Sequence, residues 1–177
     1  KEGIDNDEIR RRFMQEANAA GVLEHENIVR IFDVGEQDGE PFIAMEYIDG
    51  ETLSAWIRRR EPASVARKLR LLEELCDGLA YAHSFNIVHR DVKPANLMVE
   101  KRRGRLKILD FGIAKLVDGV SGELTQDGTI FGTPWYMSPE QARGDAGQDL
   151  AWSDVYALGA ILYEILADRA PYDGADL

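Results

Sequence analysis

Cysteine is nearly absent from this sequence: Cys76 has no second cysteine to pair with, so no disulfide within the chain can hold it together. Basic charge is short as well. With 21 Lys and Arg against 32 Asp and Glu the formal net charge is −11, which repels nucleic acid and anionic lipid and argues against both as partners. No run approaches the roughly eighteen apolar residues needed to cross a bilayer, and no signal peptide opens the sequence, which starts at Lys1 without a methionine. These absences fit a reducing, cytoplasmic setting, or the cytoplasmic part of a longer and membrane-anchored protein.

What is present gathers around residues 89–96, His-Arg-Asp-Val-Lys-Pro-Ala-Asn. One short loop there carries a carboxylate, an ammonium and a carboxamide. Pro94 has no N–H to donate and pushes Lys93 out of helical geometry, so Asp91 and Asn96 are expected on an extended, curved segment facing one substrate. A second acidic triplet, Asp110-Phe111-Gly112, follows the apolar strand candidate 106–109, and Ser138-Pro139-Glu140 comes after a polar loop. Type, order and spacing resemble the catalytic loop, the metal-binding DFG triplet and the APE triplet of protein kinases. By chance the first motif alone would turn up in about one chain of this length in a thousand.

That resemblance implies an α+β, two-lobed kinase-like fold: residues 1–48 as the remainder of the small lobe, 49–177 as the hinge and most of the large lobe. It also implies roles. Asp91 orients or deprotonates the substrate hydroxyl, Lys93 neutralises the γ-phosphate of ATP, and Asn96 and Asp110 offer the hard oxygens that Mg²⁺, or Mn²⁺, prefers. Gly112 lets the backbone turn so that the Asp110 carboxylate is aimed, with His89 and Phe111 as framework. Glu16 resembles the helix-C glutamate that pairs with a nucleotide-holding lysine; otherwise it is a surface partner of Arg12 one turn back. In the hinge Met45 is the gatekeeper, Glu46 a carbonyl and Ile48 an amide for adenine, with Met98 beneath the ring or simply in the core. Asp154 resembles the aspartate that holds the catalytic-loop backbone, and Thr133 the threonine that braces Asp91 and Lys93. Arg90 sits where a phosphate on the 118–129 loop would bind, which makes Thr125 and Thr129, and less so Ser121, candidate acceptors, including for self-phosphorylation in trans. Lys93, two residues after Asp91, points to Ser/Thr rather than Tyr acceptors on protein substrates, and the wording of 90–96 and 138–144 resembles bacterial kinases of the eukaryotic type.

The periodicities supply elements for that frame. Ile9, Phe13, Ala17 and Ala20 mark a helix capped by Asn6, residues 28–34 and 42–47 a hairpin, and 52–60 a short helix whose Arg58-Arg59-Arg60 end is solvated. From Ser64 a longer helix places Val65, Leu69, Leu72, Cys76, Leu79 and His83 on one buried stripe, so Cys76 and His83 read as packed residues, and His25 has no partner cluster. Strands follow at 97–99 and 106–109, then an irregular loop at 118–129. A last helix over 155–166, capped by Ser153, is expected to be buried on nearly every face apart from Glu164.

Two expected parts are missing from the sequence: a G-x-G-x-x-G loop and a V-A-I-K lysine ahead of Glu16. The arginine that would pair with Glu140 is absent too. The expectation is therefore an incomplete kinase domain, from an active serine/threonine kinase, that is inactive in this form. A non-catalytic pseudokinase serving as a binding or scaffold module is the alternative. A small-molecule phosphotransferase is a third reading, disfavoured by Arg90 and the Ser138-Pro139-Glu140 triplet.

Overall fold

The computed structural model describes residue 14 and residues 17–37, 40–60, 62–109, 111, 134–143 and 150–172. Residues 17–20 are helical, and Ala17 and Ala20 are buried. Strands β1 (Ile31–Gln37) and β2 (Glu40–Met45) form an antiparallel hairpin with Gly35 opposite Phe42. A second sheet has the order β3 (Gly50–Thr52), β4 (Leu97–Glu100), β5 (Leu106–Ile108), antiparallel throughout. The two sheets meet where Ile28 bridges Ile108 and the Val29 amide donates to the Ile108 carbonyl at 2.9 Å. Gly50 is required at its place, because any Cβ there would run into the Val99 carbonyl oxygen.

Between β3 and β4 lie helices α1 (Leu53–Arg58) and α2 (Val65–Ser84). Each begins at a hydroxyl cap: Thr52 Oγ1 accepts the Ala55 amide, and Ser64 Oγ accepts the Arg67 amide, both at 3.2 Å. Such caps contribute about 1 kcal/mol each. The buried stripe of α2 is Leu71, Leu72, Leu75, Gly78, Leu79 and Ala82, which corrects the stripe read from periodicity. Val65 and Leu69 are exposed, and so is Cys76. The sequence admits two stripes one residue out of phase, and the one that buries Leu71 and Leu75 removes more apolar area from water than the one through Cys76 and His83. Gly78 settles the phase, since its bare backbone leaves room for the Ile108 side chain, which a Cβ would meet at 2.6 Å.

After β5 come a 3₁₀ turn (Pro134–Tyr136), the short helix α3 (Pro139–Ala142) and the long helix α4 (Leu150–Ala167). Here α4 starts earlier than its apolar run suggests, so Ser153 lies inside the helix, 2% exposed, and does not cap it. Nor is α4 buried all round. Ala157, Ala160, Ile161 and Ile165 face the core with α2, while Trp152, Val155 and Leu166 stand exposed. No helix among the described residues is long and apolar enough to cross a membrane.

Candidate active site

The loop between α2 and β4 is short and mostly non-helical, and its polar groups are fixed from three directions. His89 is fully buried. Its Nε2–H donates to the Leu109 carbonyl at 2.8 Å, and its Nδ1 accepts the Asp91 amide at 3.3 Å, so the partners assign a neutral ring. Burial pushes its pKa below the ordinary histidine value, against the pull of Asp154 and Asp91. The Phe111 ring lies 4.9 Å away, centroid to centroid. His89 therefore ties the loop to the strand end that precedes Asp110.

Asp154, on α4, is 1% exposed and holds the other side. Its Oδ2 accepts the His89 amide at 2.9 Å and its Oδ1 the Arg90 amide at 2.8 Å. His83 Nε2 donates to the same carboxylate at 2.8 Å. His83 is thus more than packing, and its spacing on α2 gave no hint of this, because the partner lies 71 residues on.

Within the loop Lys93 is extended, with φ −155° and ψ 156°, after which Pro94–Asn96 makes a single 3₁₀ turn. The expected extended path thus ends at Lys93, and Asn96 belongs to the turn. The turn brings Asn96 back to Asp91: its Nδ2 donates to the Asp91 carbonyl at 2.9 Å and to Oδ2 at 3.0 Å. Lys93 Nζ sits 2.7 Å from the same Oδ2. Asn96 Oδ1 accepts nothing from the described residues, which leaves a hard carbonyl oxygen available to a cation such as Mg²⁺. The Leu109 amide donates to the Asn96 carbonyl at 2.9 Å, so the residue before Asp110 is fastened beside Asn96.

On the hinge side the Glu46 amide extends the hairpin by donating to the Arg30 carbonyl at 2.8 Å. The Glu46 carbonyl and the Ile48 amide have no hydrogen-bond partner among the described residues. The Glu46 side chain instead receives Lys107 Nζ at 2.6 Å and the Arg30 amide at 3.3 Å. Burial alone would raise the Glu46 pKa, but these bonds outweigh it and hold the carboxyl below its ordinary value. Lys107 is 7% exposed, a buried cation one residue from Ile108 that sequence reading passed over; an isolated lysine in a strand of buried residues was the available signal. Met45 and Phe111 line one small apolar cavity with Ile28, Val29, Ile31 and Ile43. Met98 is half-buried in β4, opposite Thr52 and Lys107.

Glu140 lies in α3, where Ser153 Oγ donates to its Oε1 at 3.1 Å. Glu140 therefore has a hydroxyl partner here, and the charge of Arg143 on the same segment also attracts it. A backbone hydrogen bond, opposed by burial and helped by the Ser138 and Ser153 hydroxyls, lowers its pKa. Glu16, Asp110, Gly112, Ser121, Thr125, Thr129 and Thr133 lie outside the described residues.

A family profile described as the protein kinase domain matches residues 1–176. The chain belongs to the protein kinase family. This kinase chain is 41% identical over 170 residues to the serine/threonine-protein kinase PrkC of Bacillus subtilis, covering 96% of the chain and 26% of the relative. It is 42% identical over 175 residues to the probable serine/threonine-protein kinase PknB of Lactococcus lactis, covering 98% and 27%. Among solved structures, a crystal structure of Rad53 residues 1–466 in complex with AMP-PNP matches with a TM-score of 0.73 at 25% identity, over 92% of this kinase chain and 39% of that one. The chain thus spans about a quarter of the length of its curated relatives.

Proposed function

We propose that this chain is the central part of a serine/threonine protein kinase domain that transfers the γ-phosphoryl group of ATP to Ser and Thr hydroxyls of proteins. The observation that carries the reading is the Asp91 carboxylate, gripped by Lys93 at 2.7 Å and by Asn96 at 3.0 Å. Phosphoryl transfer asks for positioning and charge neutralisation rather than covalent chemistry. Asp91 accepts or orients the hydroxyl proton, and Lys93 beside it neutralises the transferring oxygens. Asn96, with Asp110, would hold Mg²⁺, which supplies charge stabilisation on the phosphates.

Adenine recognition falls to the Glu46 carbonyl and the Ile48 amide, with Met45 as gatekeeper and Met98 below the ring. Glu16 is assigned to the lysine pair, and Asp154, His89, Phe111, Gly112, Thr133 and Glu140 to the framework. Arg90 is assigned to a phosphate on Thr125 or Thr129. Ser and Thr acceptors are supported by Lys93 and by the names of the relatives. A cytoplasmic site of action is supported by the need for ATP.

In the full-length protein, Asp91→Asn is expected to lower the rate of phosphoryl transfer from γ-labelled ATP by about 10²–10⁴-fold while leaving nucleotide binding intact. An Asp91→Asn protein that transfers at the parental rate removes the reading.

A further inference from the structure

Arg90 has φ +64°, in the left-handed region that non-glycine residues enter only when their surroundings hold them there. Its N–H is held by Asp154 Oδ1 at 2.8 Å. Its carbonyl is held by a residue to which the sequence reading gave no role: Gln141 Nε2 donates to Arg90 O at 2.7 Å. The other end of the same amide is fixed too, since Gln141 Oε1 accepts the Ser138 amide at 3.1 Å in the capping box of α3. Turning the amide over would set N–H against N–H at Ser138 and oxygen against oxygen at Arg90, so its orientation is determined at both ends.

The bonds close into a ring. Ser138 Oγ lies 2.9 Å from Ser153 Oγ. Ser153 is the covalent neighbour of Asp154, and Asp154 returns to Arg90. The Arg90 carbonyl shares a peptide plane with the Asp91 amide, which itself donates to His89 Nδ1 at 3.3 Å. Whatever fixes that carbonyl fixes the rotation of the plane that leads into Asp91. The same residues, Arg90, Asp91, Gln141 and Asp154, line one small cavity between the loop, α3 and α4.

We infer that Gln141 is a positioning residue for Asp91, coupling the 134–143 segment to the loop through the Arg90 peptide. It rests on the phosphoryl-transfer reading only for its kinetic consequence. A displacement of α3 moves Asp91 with it, so the loop geometry is set by how this segment is seated.

Two variants of the full-length protein test this. Gln141→Glu keeps an oxygen for the Ser138 amide, and glutamate is a natural capping-box residue, but it loses the donor to Arg90. Gln141→Met keeps length and loses both bonds. The readouts are kcat and KM for ATP, the thermal midpoint, and amide hydrogen exchange over residues 88–93. For Gln141→Glu, kcat is expected to fall roughly tenfold to a hundredfold with KM for ATP unchanged, a midpoint lowered no more than in Gln141→Met, and faster exchange confined to 88–93. Gln141→Met is expected to show the same kinetic loss with a lower midpoint. Parental kcat and parental exchange over 88–93 in Gln141→Glu, with only Gln141→Met less stable, would overturn the inference and leave Gln141 a helix cap. If the parent protein transfers no phosphate, the phosphoryl-transfer reading fails, and the exchange arm alone still decides whether Gln141 holds the loop.

Discussion

On the loop side of the site, two backbone amides and one imidazole converge on a carboxylate that is 1% exposed, whereas on the hinge side Phe32 and Tyr47 stand 64% and 88% exposed. The hinge reaches the rest of the molecule mainly through main-chain bonds, from the Lys101 amide to the Asp49 carbonyl at 2.8 Å and at the bridge between Ile28 and Ile108, with Lys107–Glu46 as a side-chain pair beside them. Under the proposed function, the difference follows from what each side must offer. Reacting groups have to stand within a fraction of an ångström of their productive positions before substrate arrives, so they are fastened by buried bonds. A main-chain edge that recognises a ligand has to keep its own donors and acceptors open, and the Glu46 carbonyl and Ile48 amide have no partner among the described residues. A wall whose polar side chains are fastened by buried bonds thus faces one held largely through its main chain.

The largest effect that could break this contrast is expected at Asp154. Asp154→Ala strips the acceptor from two loop amides and from His83, and each buried donor left unpaired costs about 1–3 kcal/mol. A loss of about 4 kcal/mol in urea unfolding is expected, at the upper end for a buried group whose partners stay behind. A loss below about 1 kcal/mol would mean that the loop is held by something other than this carboxylate.

Next in size is a pH effect at His89. Its folded pKa is lowered, so below the unfolded value of about 6.5 the unfolded chain binds a proton that the folded chain refuses. Stability therefore falls as pH drops below about 6.5, by up to about 1.4 kcal/mol per pH unit. His89→Gln, measured by urea unfolding at several pH values between neutrality and the onset of acid unfolding, is expected to flatten that slope. An unchanged slope would place the titrating group elsewhere.

On the hinge side the effects shrink. Lys107→Met removes the cation from Glu46 and is expected to cost about 1 kcal/mol at neutral pH, since the Glu46 side chain is 31% exposed and can turn to water. Glu46 has a lowered folded pKa, so its contribution is present above the unfolded value and lost as pH falls through the folded one. The variant should therefore lose part of the acid limb of the stability profile near and below pH 4.5, the unperturbed value. If Lys107→Met costs as much as Asp154→Ala, the two sides are held alike.

Much of this arrangement was legible in the residues themselves. Asp91, Lys93 and Asn96 are close in sequence, so their gathering in one loop was readable, but not that the 3₁₀ turn at Pro94–Asn96 carries Asn96 back onto the Asp91 carboxylate. The helix starts near Thr52 and Ser64 followed from period, whereas the hairpin strands expected at 28–34 and 42–47 run over Ile31–Gln37 and Glu40–Met45. What stayed hidden depends on which of two near-equal arrangements packs. The α2 stripe could be phased through Cys76 or through Leu75, and the choice is made by Ile108 fitting over Gly78, a contact between distant segments. Ser153 looked like a cap because the apolar run starts after it, yet its hydroxyl bonds Ser138 and Glu140 from inside the helix. His83 was read singly and Lys107 was passed over, and each takes its meaning from a carboxylate 71 or 61 residues away. Gln141 did carry a local sign, the Ser-x-x-Gln pattern of a capping box, but nothing local says that its amide nitrogen reaches Arg90.

The smallest expected effects sharpen the contrast at the hinge itself. Recognition through main-chain groups makes the side chain between them irrelevant and the backbone decisive. Tyr47 is 88% exposed, so Tyr47→Ala should change unfolding free energy by less than about 0.5 kcal/mol and leave KM for ATP unchanged. Ile48→Pro, which deletes the open amide, should raise KM for ATP by about tenfold, the worth of one hydrogen bond, with kcat little altered because the Asp91 side is untouched. The reverse ranking, with Tyr47→Ala raising KM and Ile48→Pro silent, would move nucleotide recognition from the backbone to the side chains and make this wall as specific in its residues as the loop opposite.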